Sequence, residues 1–418
     1  MWQQLLLMMI LSPGQAQAAP KLVESTCVRC HQDLEGSFLE PVKLSAQDIH
    51  FQQGLSCHSC HGGDPAVGIE KGGPEDSMNP RKGFVGRPAR KQIAALCATC
   101  HSQIDYMRKY NPQARVDQYA EYLTSVHGKK NQAGDPNVAT CIDCHGAHGI
   151  RTVKNPNSPV HAPNVAATCG RCHADAKRMS SYKIPTDQVE QYGKSVHGEA
   201  LMKNRDLAAP TCNSCHGNHG AAPPGIDSVA NVCGQCHAMQ WDLFGKSPHK
   251  KAFDENKWPA CATCHQNHQI ERTSDAMIGV EEPALCPACH EQGSAGYKAA
   301  QQMKSGIVGQ QARLASAGQV LERAARAGME VSNPIYQLAE GRDRLVRARV
   351  EMHMFNPVAL QKTIAEGDSI AAASEQSGWQ ALADLAYRRK GMAISAVILL
   401  FMIGLLFLKI RQLKAQPR

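Results

Sequence analysis

All 18 cysteines of this 418-residue chain fall in pairs separated by two residues, and each pair is followed at once by a histidine. The groups are Cys27, Cys30 and His31; Cys57, Cys60 and His61; Cys97, Cys100 and His101; Cys141, Cys144 and His145; Cys169, Cys172 and His173; Cys212, Cys215 and His216; Cys233, Cys236 and His237; Cys261, Cys264 and His265; and Cys286, Cys289 and His290. Two thiols one helical turn apart can add across the two vinyl groups of a haem, while the adjacent imidazole sits under the ring and binds iron. The pattern therefore predicts nine covalently bound haem c groups. Zinc ribbons give no reason for a histidine after every pair. A redox Cys-x-x-Cys is usually single and set in a βαβ context, and a disulfide framework would vary its spacings.

A second set of histidines matches the first in number. Ten lie outside the motifs' final positions, and one of them, His58, is pinned between Cys57 and Cys60 beside its own porphyrin. Setting it aside leaves His50, His127, His148, His161, His197, His219, His249, His268 and His353, nine second ligands for nine irons. His148, His219 and His268 each stand three residues past a motif's own histidine. From there none can reach the far face of its own haem, so each is expected to project toward a neighbouring haem. His161 is the exception, because around Gly225, at its place in the second repeat, no histidine occurs. If it does not ligate, one haem is open or takes a methionine. Two imidazoles per iron leave no vacant site, and no methionine recurs in the repeats, so the set suits electron conduction rather than substrate chemistry.

These ligands sit on a repeated plan. Tyr122 to His127, Cys141 to His148 and Cys169 to His173 form one copy. Tyr192 to His197, Cys212 to His219 and Cys233 to His237 form the second, and Phe244 to His249, Cys261 to His268 and Cys286 to His290 the third. Residues 26–101 carry three motifs and read as a variant with His50 ahead of Cys57. Aromatics make up only 5% of the chain, too few for an ordinary core over this span, so porphyrin must serve as core and the apoprotein should be largely unfolded. Each haem also carries two propionates, so nine haems outweigh the formal net charge of +8. No basic stripe interleaved with aromatics occurs, and nucleic-acid binding is not expected.

Beyond about residue 294 cysteine disappears and a helical pattern begins, with Leu338, Leu345, Val346 and Val350 at helical intervals. Breaks at Asn333-Pro334 and Asn356-Pro357 divide it into roughly three long helices. Gly391 to Leu408 is uncharged over 18 residues, just enough to cross a hydrocarbon core of about 30 Å. At the other end, Leu5 to Leu11 is apolar and Ala16-Gln17-Ala18 reads as a cleavage site. The expected organisation is a signal peptide over 1–19, a multihaem domain over 20–293, a helical domain over 294–390, a transmembrane helix over 391–408 and a cytoplasmic basic tail over 409–418. The expected fold class is mostly α with extensive loops: a haem-cored domain, a C-terminal helical bundle and one transmembrane helix. It places the haem domain on the periplasmic side of a bacterial cytoplasmic membrane.

The Ser-x-His-Gly, Cys-x-x-Cys-His-Gly-x-His pattern over 122–290 resembles the large multihaem cytochromes c built of cytochrome c3-like and doubled Cys-x-x-Cys-His units. Arg347 to Pro357 is similar to the C-terminal helices of the pentahaem nitrite reductase and octahaem hydroxylamine oxidoreductase families. The resemblance implies an electron carrier working beside a cytochrome b/Rieske-type or other membrane quinol oxidoreductase and other c-type cytochromes. One alternative is an enzyme reducing nitrite, hydroxylamine or a sulfur oxyanion at one open haem, although no Cys-x-x-Cys-Lys variant occurs. The other is a direct quinol dehydrogenase. The apolar span carries no histidine and cannot hold a b-type haem itself.

Overall fold

A computed structural model describes residues 25–67, 73–223 and 225–414. The expected signal peptide lies outside the described residues, as do residues 415–418 of the expected tail. The described chain is mostly helical, and no strand occurs among the described residues. Its contacts form two units, Met1–Val229 with His268–Ile270, and Ala230–Asn267 with Glu271–Arg418. The last three motifs thus group with the long helices, and the expected boundary after residue 293 does not coincide with this division.

The first unit is a series of short helices, three kinds of which hold motifs, beginning with the six-residue Thr26–His31. Cys57–His61, Cys141–His145 and Cys212–His216 are five-residue helices. The backbone N–H ahead of each donates into a side chain three residues on: Ser56 to Ser59 Oγ at 3.2 Å, Thr140 to Asp143 Oδ2 at 2.7 Å, Thr211 to Ser214 Oγ at 3.1 Å. A cap of this kind ties the start of a single helical turn. Each ends at a glycine with positive φ, Gly62, Gly146 and Gly217, which turns the chain sharply before the residue three past the motif. Arg90–His101 and Ala162–His173 are 12-residue helices that carry a motif at their C-terminal ends.

In the second unit three long helices, Ala295–Arg326, Ser332–Glu351 and Pro357–Lys414, pack together. Met303, Ile307, Gln310, Leu314, Ala317, Leu321 and Ala324 are buried at alternating intervals of four and three, the seam of a coiled coil. Leu338, Gly341, Leu345 and Ala348 answer from the second helix, and Leu360, Ile364, Gly367 and Ala371 from the third. Val346, placed on the apolar pattern by sequence, points outward with 57% exposure. Arg349 spans from the bundle to Asp275 with two bonds of 2.8 and 2.7 Å. The end of the third helix, residues 391–408, leaves the bundle with its apolar side chains exposed. Among the described residues this helix is long and apolar enough to cross a membrane.

Candidate functional site

The imidazoles meet in pairs. A metal bound to two imidazoles at about 2.0–2.1 Å per bond, plus about 1 Å from nitrogen to ring centre, separates the ring centres by about 6 Å. His50 and His101 stand 6.0 Å apart, His61 and His148 6.1 Å, His127 and His173 6.1 Å, and His145 and His219 6.2 Å. His216 and His268 stand 6.0 Å apart, His249 and His290 5.8 Å, and His265 and His353 6.2 Å. Every pair joins one motif histidine to one of the proposed second ligands. The spacing of each pair fits an iron held between the two rings. Zinc and disulfide readings gain nothing. No group of three or more His, Cys, Asp or Glu side chains converges on a metal position among the described residues, and none of the 18 cysteines is in a disulfide.

The pairs follow two rules. A histidine three residues past a motif faces the motif two places earlier: His148 to His61, His219 to His145, His268 to His216. A histidine in the turn ahead of a copy faces that copy's second motif: His50 to His101, His127 to His173, His249 to His290. His50 thereby makes residues 50–101 a fourth copy, and the Cys27 motif is the additional one. His353 stacks on His265 at 26° and supplies from the helical bundle what no further copy can.

Local bonds aim these rings. Ser125 caps the His127 helix by accepting from Gly128 N–H at 3.0 Å while donating to Tyr122 O at 2.6 Å. Ser195 does the same ahead of His197, with Gly198 N–H at 3.0 Å and Tyr192 O at 2.7 Å. Tyr122 Oη then reaches Ala139 O and Tyr192 Oη reaches Pro210 O, both at 2.9 Å, each just ahead of the next motif. Ahead of His50 the cap is Asp48, whose carboxylate accepts from the His50 N–H at 2.8 Å, its Nδ1–H at 3.0 Å and the Ile150 N–H at 2.9 Å. Nδ1–H of His61 donates to Gly86 O at 2.7 Å, of His353 to Val350 O at 2.9 Å and of His161 to Val153 O at 3.0 Å. That bond fixes the tautomer and leaves Nε2 for a metal. Burial lowers the pKa of His101, His127, His145, His148, His173, His216, His219, His249, His265 and His268, which keeps them in the neutral, ligating form.

Thiols of motifs adjacent in sequence shift one another's pKa: Cys27 raises that of Cys57, Cys97 lowers that of Cys141 and Cys169 lowers that of Cys212 in the first unit, and Cys233 raises that of Cys261 in the second. The second cysteines also feel a neighbouring motif: beyond burial, the Cys60 thiol is pushed up by Cys97 and Cys100, the Cys144 thiol by Asp143 and Cys172, and the Cys264 thiol by Cys286 and Cys289. Within each unit, then, motifs adjacent in sequence bear on one another's thiols. Sequence reasoning missed Tyr122, Tyr192, Asp48 and Arg90, whose guanidinium bonds Asp143 at 2.7 Å and Val138 O at 2.8 Å. The recurrence of Tyr122 and Tyr192 five residues ahead of a histidine was the available signal for two of them.

Two of the proposed ligand positions stand apart. His161 stands at the residue ahead of the Ala162–His173 helix and faces no second imidazole at the six-ångström span. His31, whose Nδ1–H donates to Phe38 O at 3.2 Å, has the Phe38 ring rather than an imidazole 6.1 Å away. His197 sits in the first turn of the helix Val196–Met202, as His127 does in Val126–Gln132, and His237 precedes the helix Ala238–Gly245.

A mostly helical chain that sets imidazoles in pairs about 6 Å apart and carries its cysteines in Cys-x-x-Cys-His groups has the makings of a multihaem c-type cytochrome. The chain is similar to the C-type polyheme cytochrome OmcC of Geobacter sulfurreducens, 22% identical over 216 residues that cover 46% of this chain and 26% of that protein. It is also similar to the Multiheme cytochrome MtrA of Shewanella baltica, 26% identical over 217 residues that cover 48% of this chain and 53% of that one. The chain thus spans about a quarter and about half the length of these curated relatives. No family model and no solved structure matches it. The two similarities support a multihaem c-type cytochrome with covalently bound haem and, in general terms, electron transport.

Proposed function

We propose that the chain is a nine-haem electron conduit fastened by its C-terminal helix to the outer side of a bacterial cytoplasmic membrane. It would pass electrons from a membrane quinol-oxidising partner, of the cytochrome b/Rieske type or another kind, to other c-type cytochromes or extracellular acceptors. Covalently held haem iron supplies reversible one-electron chemistry. The protein's part is to hold each pair of imidazoles, exclude other ligands and keep successive motifs in contact. The observation that carries this reading is the set of seven facing imidazole pairs, which leaves those seven sites without room for substrate. The exposed apolar stretch from Gly391 to Leu408, with Arg388, Arg389 and Lys390 ahead of it, supports the anchor.

The test compares the full-length protein with a form ended at Lys390, each in membranes from cells lacking the native gene. The full chain is expected to sediment with membranes and to be reduced by added quinol, while the shortened form is soluble and reduced only by dithionite. Quinol reduction of the shortened form would overturn the anchor's role. Steady turnover of nitrite or hydroxylamine by the purified full chain would favour the enzymatic alternative, for which the unpaired His31 is the foothold.

A further inference from the structure

Both ligand rules fail at the first motif. A histidine three residues past the motif two places later would be residue 104, which is Ile104. A histidine in a turn ahead of the motif would have to fall before Cys27, where the sequence has none. Every histidine of the sequence lies within the described residues, and His197 is not without a partner of its own, which leaves His58 and His161. His58 follows Cys57 directly, near enough to Cys27 to influence its thiol, and its buried Nδ1 has no partner. His161 is turned to Val153 O. Neither ring faces His31 at the distance seen in the other pairs, and Phe38, which does stand 6.1 Å away, offers no lone pair. The segment from Gln32 to Phe38, beside His31, is exposed, with Leu34 at 42% and Phe38 at 60%.

We propose that the site of Cys27, Cys30 and His31 leaves its sixth axial position to an exogenous small ligand that binds iron end-on through carbon or nitrogen. Among the motifs of this sequence the site stands first. The inference rests on the haem-binding reading of that motif.

Carbon monoxide, added to the dithionite-reduced full-length holoprotein, is the probe, read by the absorption change of the haem band. About one haem in nine is expected to respond. The double variant Cys27→Ala, Cys30→Ala should lose that response, and His161→Ala and His58→Ala should leave it at one in nine. No response in the unsubstituted protein overturns the inference, as does a response that appears only in H161A or H58A or persists in the double variant. Intact mass separates the two levels: a Cys27 motif without haem would sink the haem-binding reading there, whereas haem present without a carbon monoxide response sinks the inference alone.

Discussion

Replacing His353 with alanine removes one imidazole from one facing pair and should alter one site. The ring stands 6.2 Å from His265 and shares no other imidazole contact. Its bond from Nδ1–H to Val350 O, 2.9 Å long, is the other interaction lost, on the order of 1 kcal/mol. That is small against a bundle whose Ile307, Leu321, Leu360 and Ile364 are 1% exposed or less, so the helices should stay folded. The site of Cys261, Cys264 and His265 would then hold iron through His265 alone. The carbon monoxide response of the reduced protein should rise by one haem in nine above the unsubstituted baseline, with added imidazole reversing the rise and the far-ultraviolet circular dichroism unchanged. No rise, or a rise of more than one site, would refute the assignment of His353 to that position.

Other consequences follow from the same geometry. Gly367→Ala would drive a Cβ into Gln310 and against Arg344 in the bundle, and should cost about 1–3 kcal/mol in denaturant unfolding followed by circular dichroism. Ser195→Ala removes the cap of the Val196–Met202 helix and should cost about 1 kcal/mol, with a lower melting midpoint. The Asp135 carboxylate accepts from the Asn137 N–H and from Tyr182 Oη at 2.8 Å, which holds its pKa below the ordinary value. Because the folded value is depressed, its stabilising effect is present above the unfolded pKa of about 3.9 and lost as pH falls through the folded value. Tyr182→Phe should flatten that acid limb of the unfolding midpoint, and an unchanged limb would contradict it. Protein made in cells unable to attach haem should be digested by trypsin through residues 25–290 faster than through the long helices, because the large core cluster gathers between Ile278 and Ala371.

The chemistry was open to sequence reading because it is local. Two thiols and an imidazole on one helical turn define an attachment site whatever surrounds them, and the helical bundle announced itself through its period and its Asn-Pro breaks. Direction was not legible. His148, His219 and His268 had to leave their own haems, but nothing in a three-residue spacing says whether the next or an earlier motif receives them. The answer, two motifs back, goes with the positive-φ residue that follows each of these three motifs, Gly146, Gly217 and Gln266. His161 shows the other limit, since a matching count of nine histidines balances stoichiometry without placing any ring. The fourth copy was hidden because Asp48 caps the turn ahead of His50 where serine does so ahead of His127 and His197. Tyr122 and Tyr192 looked like ordinary aromatics until their hydroxyls were seen to tie the histidine turns to Ala139 and Pro210.

The intact mass of the mature full-length protein, combined with a peptide map of the motifs, tests the central claim most directly. The expected result is nine haem additions, one on each Cys-x-x-Cys-His peptide from Cys27 to His290. Fewer than nine additions, or any motif peptide recovered with two free thiols or a disulfide, would contradict it.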